Sequence, residues 1–310
     1  MDSNYLVDRF NRKVNSVRLV VTARCNYNCI FCHREGLSGL KRTEILNPED
    51  YGFLAKVSRK LGIVDFKITG GEPLIRKDII EIIEEIKKSI ENISITTNGY
   101  FLADLAPKLA NAGLERVNVS LHSLNDEIYR RITRTHFPVR RILEGIDLAV
   151  ENGIRVKLNF LAMKINVNEF NDVLDYASRK GLDINVIELI PLGTPPKVYM
   201  EQKVNIESIV EKLKQISSNV SISEFQSRPI FTMPSGIKVT VIKGFENPSL
   251  CSKCTRIRVT PEGWIKTCIF VEEPYVDISR ELKSKDENGL IEKFKQAVAL
   301  REPYFKFQIR

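Results

Sequence analysis

The most constraining feature of this 310-residue chain is an alternation that runs from residue 17 to about 190. Short β-branched segments ("SVRLVVT", "VDFKIT", "ISITT", "RVNVSL", "RVKLNFLAM" and "INVIELI") are separated by longer amphipathic stretches. The helical stretches tend to end in glycine, with Gly62, Gly113, Gly153 and Gly181 where a left-handed C-cap is needed. "NPED" (47–50) has the form of a helix start, with Asn47 as cap and Pro48 in the first turn. Strands that alternate with helices pair in parallel, because parallel neighbours need crossovers. A full eight-unit barrel wants about 250 residues. Here the alternation fades after a helix near 205–217, which predicts an α/β fold with an incomplete (βα)6 TIM-type barrel. From about 225 the pattern becomes short strands and turns, punctuated by Pro229, Pro234, Pro248 and Pro261. The expected organisation is a partial-barrel domain over 1–225 and a smaller β-rich C-terminal unit over 226–310.

A composition of 43% hydrophobic and 28% charged residues is that of an ordinary globular protein. No run of eighteen apolar residues occurs, and the N-terminus lacks the apolar block of a secretory signal, so a cytoplasmic protein without a membrane span is expected. The net charge of +8 suits an anionic ligand. The basic residues are dispersed and form no stripe interleaved with aromatics, so nucleic acid is not an expected partner.

The six cysteines fall into two trios: Cys25, Cys29 and Cys32, then Cys251, Cys254 and Cys268. Clustered thiols in a reducing compartment point to metal rather than disulfides. The first trio, C-x3-C-x2-C, lies in the loop after the first strand, at the end of a βα barrel that carries chemistry. Three thiolates can hold three corners of a cubane iron–sulfur cluster, or three positions of a zinc ion with His33 as the fourth; the cluster leaves one position open. In the second trio, strands 256–260 and 264–269 around a Pro261–Glu262–Gly263 turn would fold Cys268 back towards Cys251 and Cys254. Side-chain alternation would then place Arg256 and Arg258 on one face beside that centre, a pairing suited to phosphate oxygens.

With Phe31 before the last cysteine, and "KITGGEPLIRKD" ending the second strand, the chain resembles the radical S-adenosylmethionine (SAM) enzymes. That resemblance implies a 4Fe–4S cluster on Cys25, Cys29 and Cys32 whose fourth iron is chelated by SAM. It places Gly70, Gly71 and Glu72 at the methionine part of SAM, and Thr97, Asn98 and Ser120 at its ribose and carboxylate. "CSKCTRIRVTPEGWIKTCIF", together with "TTNGYFL" and "VIELIPLG", is similar more narrowly to the GTP 3′,8-cyclases of molybdenum cofactor biosynthesis. The narrower resemblance implies a second 4Fe–4S cluster on Cys251, Cys254 and Cys268, facing the guanine of GTP. It gives Arg18, Arg256 and Arg258 roles in substrate binding and turnover, and Lys67 a place near the triphosphate. It also implies a flavodoxin or ferredoxin as electron donor, a downstream cyclic pyranopterin monophosphate synthase, and a homodimer. A more distant resemblance is to peptide- or haem-modifying radical SAM enzymes. Asp65, Asn185 and the tail "FKFQIR" depart from the narrower pattern, which has basic residues at the first two positions and a terminal glycine pair. His122 stands where the wider pattern has an aspartate.

Overall fold

The computed structural model describes residues 5–37, 43–245, 247–271, 273 and 275–305. Its first two strands, β1 (Leu6–Val7) and β2 (Lys13–Val14), form a small antiparallel pair. The expected alternation follows as β3 (Ser16–Thr22), β4 (Asp65–Gly70), β5 (Asn92–Thr97), β6 (Arg116–Ser120), β7 (Arg155–Ala162) and β8 (Asp183–Glu188). These six lie side by side in sequence order, all parallel. The helix Pro48–Lys60 begins as expected: the Asn47 side chain accepts from the Asp50 N–H, and the Asp50 carboxylate accepts from the Asn47 N–H. Gly62, Gly113, Gly153 and Gly181 all take positive φ at helix ends.

The C-terminal strands are β9 (Asn219–Ile222), β10 (Pro229–Thr232), β11 (Lys238–Ile242), β12 (Arg256–Val259), β13 (Trp264–Lys266) and β14 (Val276–Asp277). They join the same sheet at both ends. β11 pairs in parallel with β8, β12 pairs in parallel with β3, and the remaining four add antiparallel edges. Eight parallel neighbours therefore stand where the pattern before residue 190 predicts six. With β9 and β14 as its edges the sheet stays open, so the barrel is incomplete as expected.

Strand alternation sorts the two faces. Val17, Leu19, Val21, Phe66, Ile68, Val117, Val119, Leu158, Phe160, Ile184 and Val186 all enter the main apolar core. The residues between them, Arg18, Lys67, Ser120, Asn159 and Asn185, instead line a cavity on the concave side. Closed barrels of this type fill that space with branched apolar side chains. A polar concave face lines a chamber instead.

Candidate active site: two cysteine trios around one cationic cavity

Cys25, Cys29 and Cys32 follow β3 directly, in a loop tied down from two sides. The carbonyls of Ile132 and Thr133, at the end of the helix Asp126–Thr133, accept from the N–H groups of Ile30 and Asn28 at 3.0 and 3.2 Å. The Asn98 amide donates to the Asn26 side chain at 2.7 Å. Cys25 and Cys32 are exposed and Cys29 is partly buried against the core. Although these residues reach the surface, the protein packed around their sulfur atoms displaces water, which raises the Cys25 thiol to about 11 and raises Cys29 and Cys32 as well, so thiolates here need a strong positive partner. His33 is engaged otherwise, its Nδ1 accepting from the Glu35 N–H at 3.0 Å.

The end of β4 is pressed against this loop. The Gly71 and Glu72 N–H groups donate to the Thr22 and Arg24 carbonyls, both at 2.8 Å. A Cβ at Gly71 would meet the Arg24 carbonyl oxygen at 2.1 Å, so only glycine allows this approach. The buried Glu72 carboxylate gathers the expected strand ends: it accepts from the Leu74 N–H at 2.9 Å, the Thr97 hydroxyl at 2.7 Å and the Asn98 N–H at 2.7 Å. Burial nevertheless lifts its carboxyl to about 7, and no cationic side chain among the described residues forms an ion pair with it. Gly70, Gly71, Glu72, Thr97 and Asn98 thus form one cradle beside Cys25, while Ser120 lines the cavity next to it.

Cys254 precedes β12 by two residues and Cys25 follows β3 by three, and these strands are parallel neighbours. The two trios therefore lie at opposite ends of the strands. Between them is the cavity, about 350 Å³, lined by Cys251, Cys254 and Cys268 and by Arg18, Lys67, Arg228, Arg256 and Arg258. Arg256 and Arg258 share its face, and Ile257 between them is fully buried on the other. β13 stops at Lys266 rather than reaching 269, which leaves Cys268 in the turn beyond it. The shorter strand has a packing reason. Lys266 and the Ile269 carbonyl lie against Gly36, where a Cβ would meet them at 2.9 and 2.2 Å, so the chain bends over the first cysteine loop.

Among the described residues no three His, Cys, Asp or Glu side chains converge closely enough to grip a single metal ion. A cubane asks less, because each thiolate binds a different iron. Burial alone would raise the Cys254 thiol, yet the Arg256 N–H and the Arg256, Arg301 and Arg258 guanidiniums hold it below its usual value. That environment favours a thiolate ligand.

The cavity's cations are short of counter-charge. Nε of Arg18, Arg228, Arg256 and Arg258 is buried in each case without a hydrogen-bond partner among the described residues. Lys67 is pushed well below its usual value by burial and by Arg18, Arg256 and Arg228. Among the described residues, Glu35 alone stands in ion-pair range of this group, 3.6 Å from Arg18 and 3.8 Å from Arg258. Buried guanidiniums with free donors are a fit for a multiply charged anion. The departures from the narrower pattern take other roles. Asp65 accepts from Ser16 and Arg116 at 3.2 and 3.4 Å, Asn185 donates to Asn159 at 2.8 Å, and residues 306–310 of the tail lie outside the described residues. His122 is buried, its Nδ1 accepting from the Leu161 N–H at 3.2 Å and its ring edge-on to Phe31.

Several functional neighbours carry no sequence signal. Arg12 donates to the Cys251 carbonyl at 2.9 Å and Arg301 to the Cys254 carbonyl at 2.5 Å, while Asp8 pairs with both guanidiniums. Residues 239 and 47 positions from their partners hold the second cysteine loop. Lys266 was the most legible of the missed residues, since it pairs with Arg258 across the hairpin; buried, it donates to the Gly36 carbonyl.

Residues 19–177 match the model of the radical SAM superfamily, and residues 182–307 match Molybdenum Cofactor Synthesis C. A curated protein of Methanocaldococcus jannaschii named "Probable GTP 3′,8-cyclase" is 39% identical, the match covering 97% of this chain and 99% of that one. Proteins of the same name from Saccharolobus solfataricus and Thermococcus kodakarensis are 38% and 39% identical, over 98% and 97% of this chain and all of theirs. The chain belongs to the GTP 3′,8-cyclase family of the radical SAM superfamily. Solved structures agree in fold at lower identity. Streptococcus suis SuiB bound to S-adenosylmethionine superposes with a TM-score of 0.68 at 15% identity, covering 91% of this chain and 69% of SuiB. AdoMet-bound anSMEcpe gives 0.58 at 16%, covering 89% of this chain and 82% of its own. Membership of this family implies a 4Fe–4S cluster and SAM. The exposed Cys25 and Cys32 and the buried, unneutralised Glu72 carboxylate beside them fit a cluster and an ammonium-bearing ligand.

Proposed function

We propose that the protein is a radical SAM GTP 3′,8-cyclase, converting GTP to 3′,8-cyclo-7,8-dihydro-GTP at the first step of molybdenum cofactor biosynthesis. The observation that supports this most is a single cationic chamber with a cysteine trio at each end of its strands. In this reading Cys25, Cys29 and Cys32 hold the first cluster, and Cys251, Cys254 and Cys268 hold a second 4Fe–4S cluster. Gly70, Gly71, Glu72, Thr97, Asn98 and Ser120 bind SAM. When bound, the first cluster and SAM supply a 5′-deoxyadenosyl radical, using an electron from a flavodoxin or ferredoxin. The chain's own residues position the substrate. Arg18, Lys67, Arg256 and Arg258 take up the negative charge of GTP, each donating towards the cavity they line. Phe31, Leu161, Ile187 and Leu189 close the same cavity with apolar surface and limit water around the reacting sugar. A cyclic pyranopterin monophosphate synthase would consume the product, and a homodimer belongs to the same reading. The likeness to SuiB, at 15% identity, is one of fold and carries no peptide substrate over.

Anaerobic reconstitution with iron and sulfide, then EPR of the reduced protein titrated with SAM and afterwards with GTP, tests this. Two cluster signals are expected, one shifted by SAM and the other by GTP, with cyclised GTP as product. Two clusters without a GTP response would keep the radical chemistry and remove the substrate. Tight zinc without any cluster would overturn both.

A further inference from the structure

We propose that Arg228 is a further substrate-binding residue, one that takes up the phosphate chain of the nucleoside triphosphate beside Arg256. The inference rests on the cyclase reading for the nucleoside, and on this cavity alone for the phosphates. Arg228 comes from the turn before β10, in the C-terminal region, and its side chain enters the chamber lined by Arg18, Lys67 and Arg256. Among the described residues its guanidinium has one hydrogen-bond partner, the Gln226 carboxamide, to which Nη2 donates. Its Nε is buried without a hydrogen-bond partner, and no carboxylate among the described residues lies within ion-pair range. Of the carboxylates on the cavity wall, Glu35 faces Arg18 and Arg258, Glu302 pairs with Arg9, and Glu188 accepts from the Phe245 N–H.

Its neighbours are like charges. The Arg228 guanidinium weighs on Lys67, Lys157 and Arg256, and burial together with Arg18 lowers Arg228 itself to about 10. Left to itself such a side chain would swing out to water. The fold holds it in by three means. The Phe225 ring lies under both Arg228 and Arg256, with the guanidinium carbons 4.7 and 4.9 Å from its centroid. Ser223 exchanges backbone and hydroxyl hydrogen bonds with Arg228 at 2.9 and 3.2 Å. Gln226 and Ser227 between them adopt φ of 58° and 48°, left-handed conformations that are strained in residues other than glycine. A guanidinium kept among cations by a strained turn is arranged for an anion that carries several charges, and a polyphosphate has them.

The test uses the cluster-loaded enzyme under anaerobic conditions and equilibrium binding of GTP, guanosine and inorganic tripolyphosphate. R228Q is expected to bind GTP and tripolyphosphate roughly tenfold to a hundredfold more weakly, the loss of a charge-assisted contact, with guanosine unchanged. R228K should recover part of that loss. Without ligand, R228Q should melt no lower than wild type, because a like charge has been removed from the cluster. Arg140→Gln removes an exposed charge (86% exposed) and should change none of these constants. Wild-type affinity of R228Q for tripolyphosphate would overturn the proposal, as would an equal loss of guanosine. If wild type binds tripolyphosphate but not GTP and R228Q loses it, the cyclase reading fails and the Arg228 site stands. A wild type that binds neither overturns both.

Discussion

Glu35 is the carboxylate that answers the cavity's arginines, and its removal tests the electrostatic picture most directly. It accepts from the Thr69 hydroxyl at 2.7 Å, with Arg18 at 3.6 Å and Arg258 at 3.8 Å. Burial works to raise its carboxyl, yet Arg18, His33, Arg258 and the Thr69 hydrogen bond together bring it from 4.5 to about 2. That displacement corresponds to roughly 3 kcal/mol in favour of the ionised form. Coulomb's law at an effective dielectric of about 20 gives about 4 kcal/mol for each arginine, before the cost of desolvation removes much of it. Breaking a buried ion pair from one side costs about 3–5 kcal/mol. The estimates meet near 3 kcal/mol. Glu35→Gln keeps the shape and an acceptor for Thr69 while removing the charge. For 310 residues the unfolding entropy is about 0.65 kcal/mol per degree, so the ligand-free variant should melt about 5 °C below wild type. Saturating tripolyphosphate should close most of that gap, since an anion then neutralises the same guanidiniums. The sign of the pH effect follows from the depressed carboxyl: its stabilisation is full above about 4.5 and is lost as pH falls towards 2, a segment the variant lacks. Thermal scans of both proteins, with and without the anion, decide the matter. A ligand-free variant within a degree of wild type would refute the reasoning.

Three further outcomes are expected. Burial holds His122 neutral with its value lowered from 6.5 to about 4, so the unfolded chain takes up the proton first and wild type should lose roughly 3 kcal/mol as pH falls through that window. His122→Gln should flatten that stretch in urea unfolding followed against pH; parallel curves would contradict it. Gly71→Ala drives a Cβ into the Arg24 carbonyl, and SAM affinity, read by equilibrium dialysis, should fall at least tenfold while the C-terminal region's near-UV signal is kept; unchanged affinity would dismiss the cradle. Lys266→Met leaves the Gly36 carbonyl without its lysine and should cost about 1–3 kcal/mol in chemical denaturation, with faster hydrogen exchange at residues 33–37; wild-type exchange there would rule out the tie.

The six strands from β3 to β8 were legible because they declare themselves locally, by β-branched residues and, before β4, β6, β7 and β8, by a helix that ends in glycine. Both cysteine trios and the Arg256–Arg258 pair were legible for the same reason: a few residues in a row carry the spacing. The cradle around Glu72 was half legible, since "GGEP" and "TTNG" mark strand ends, while their meeting at one carboxylate depends on β4 and β5 being neighbours. Glu35 and Arg228 were not legible at all. A glutamate after a cysteine loop and an arginine before a proline strand are ordinary surface residues until the chain folds them inward.

Sequence by itself therefore determined the run of parallel strands, the two cysteine-rich loops and the shared face of Arg256 and Arg258, because these are properties of residues within one turn or one pleat of each other. Tertiary structure decided how the C-terminal strands are shared between the two edges of one sheet, which places Cys254 beside β3 and closes the cationic chamber. It also decided which charges answer one another there, as Asp8 with Arg301 and Glu35 with Arg258. Electrostatic energy depends on distance and on burial, and neither is a property of position along the chain.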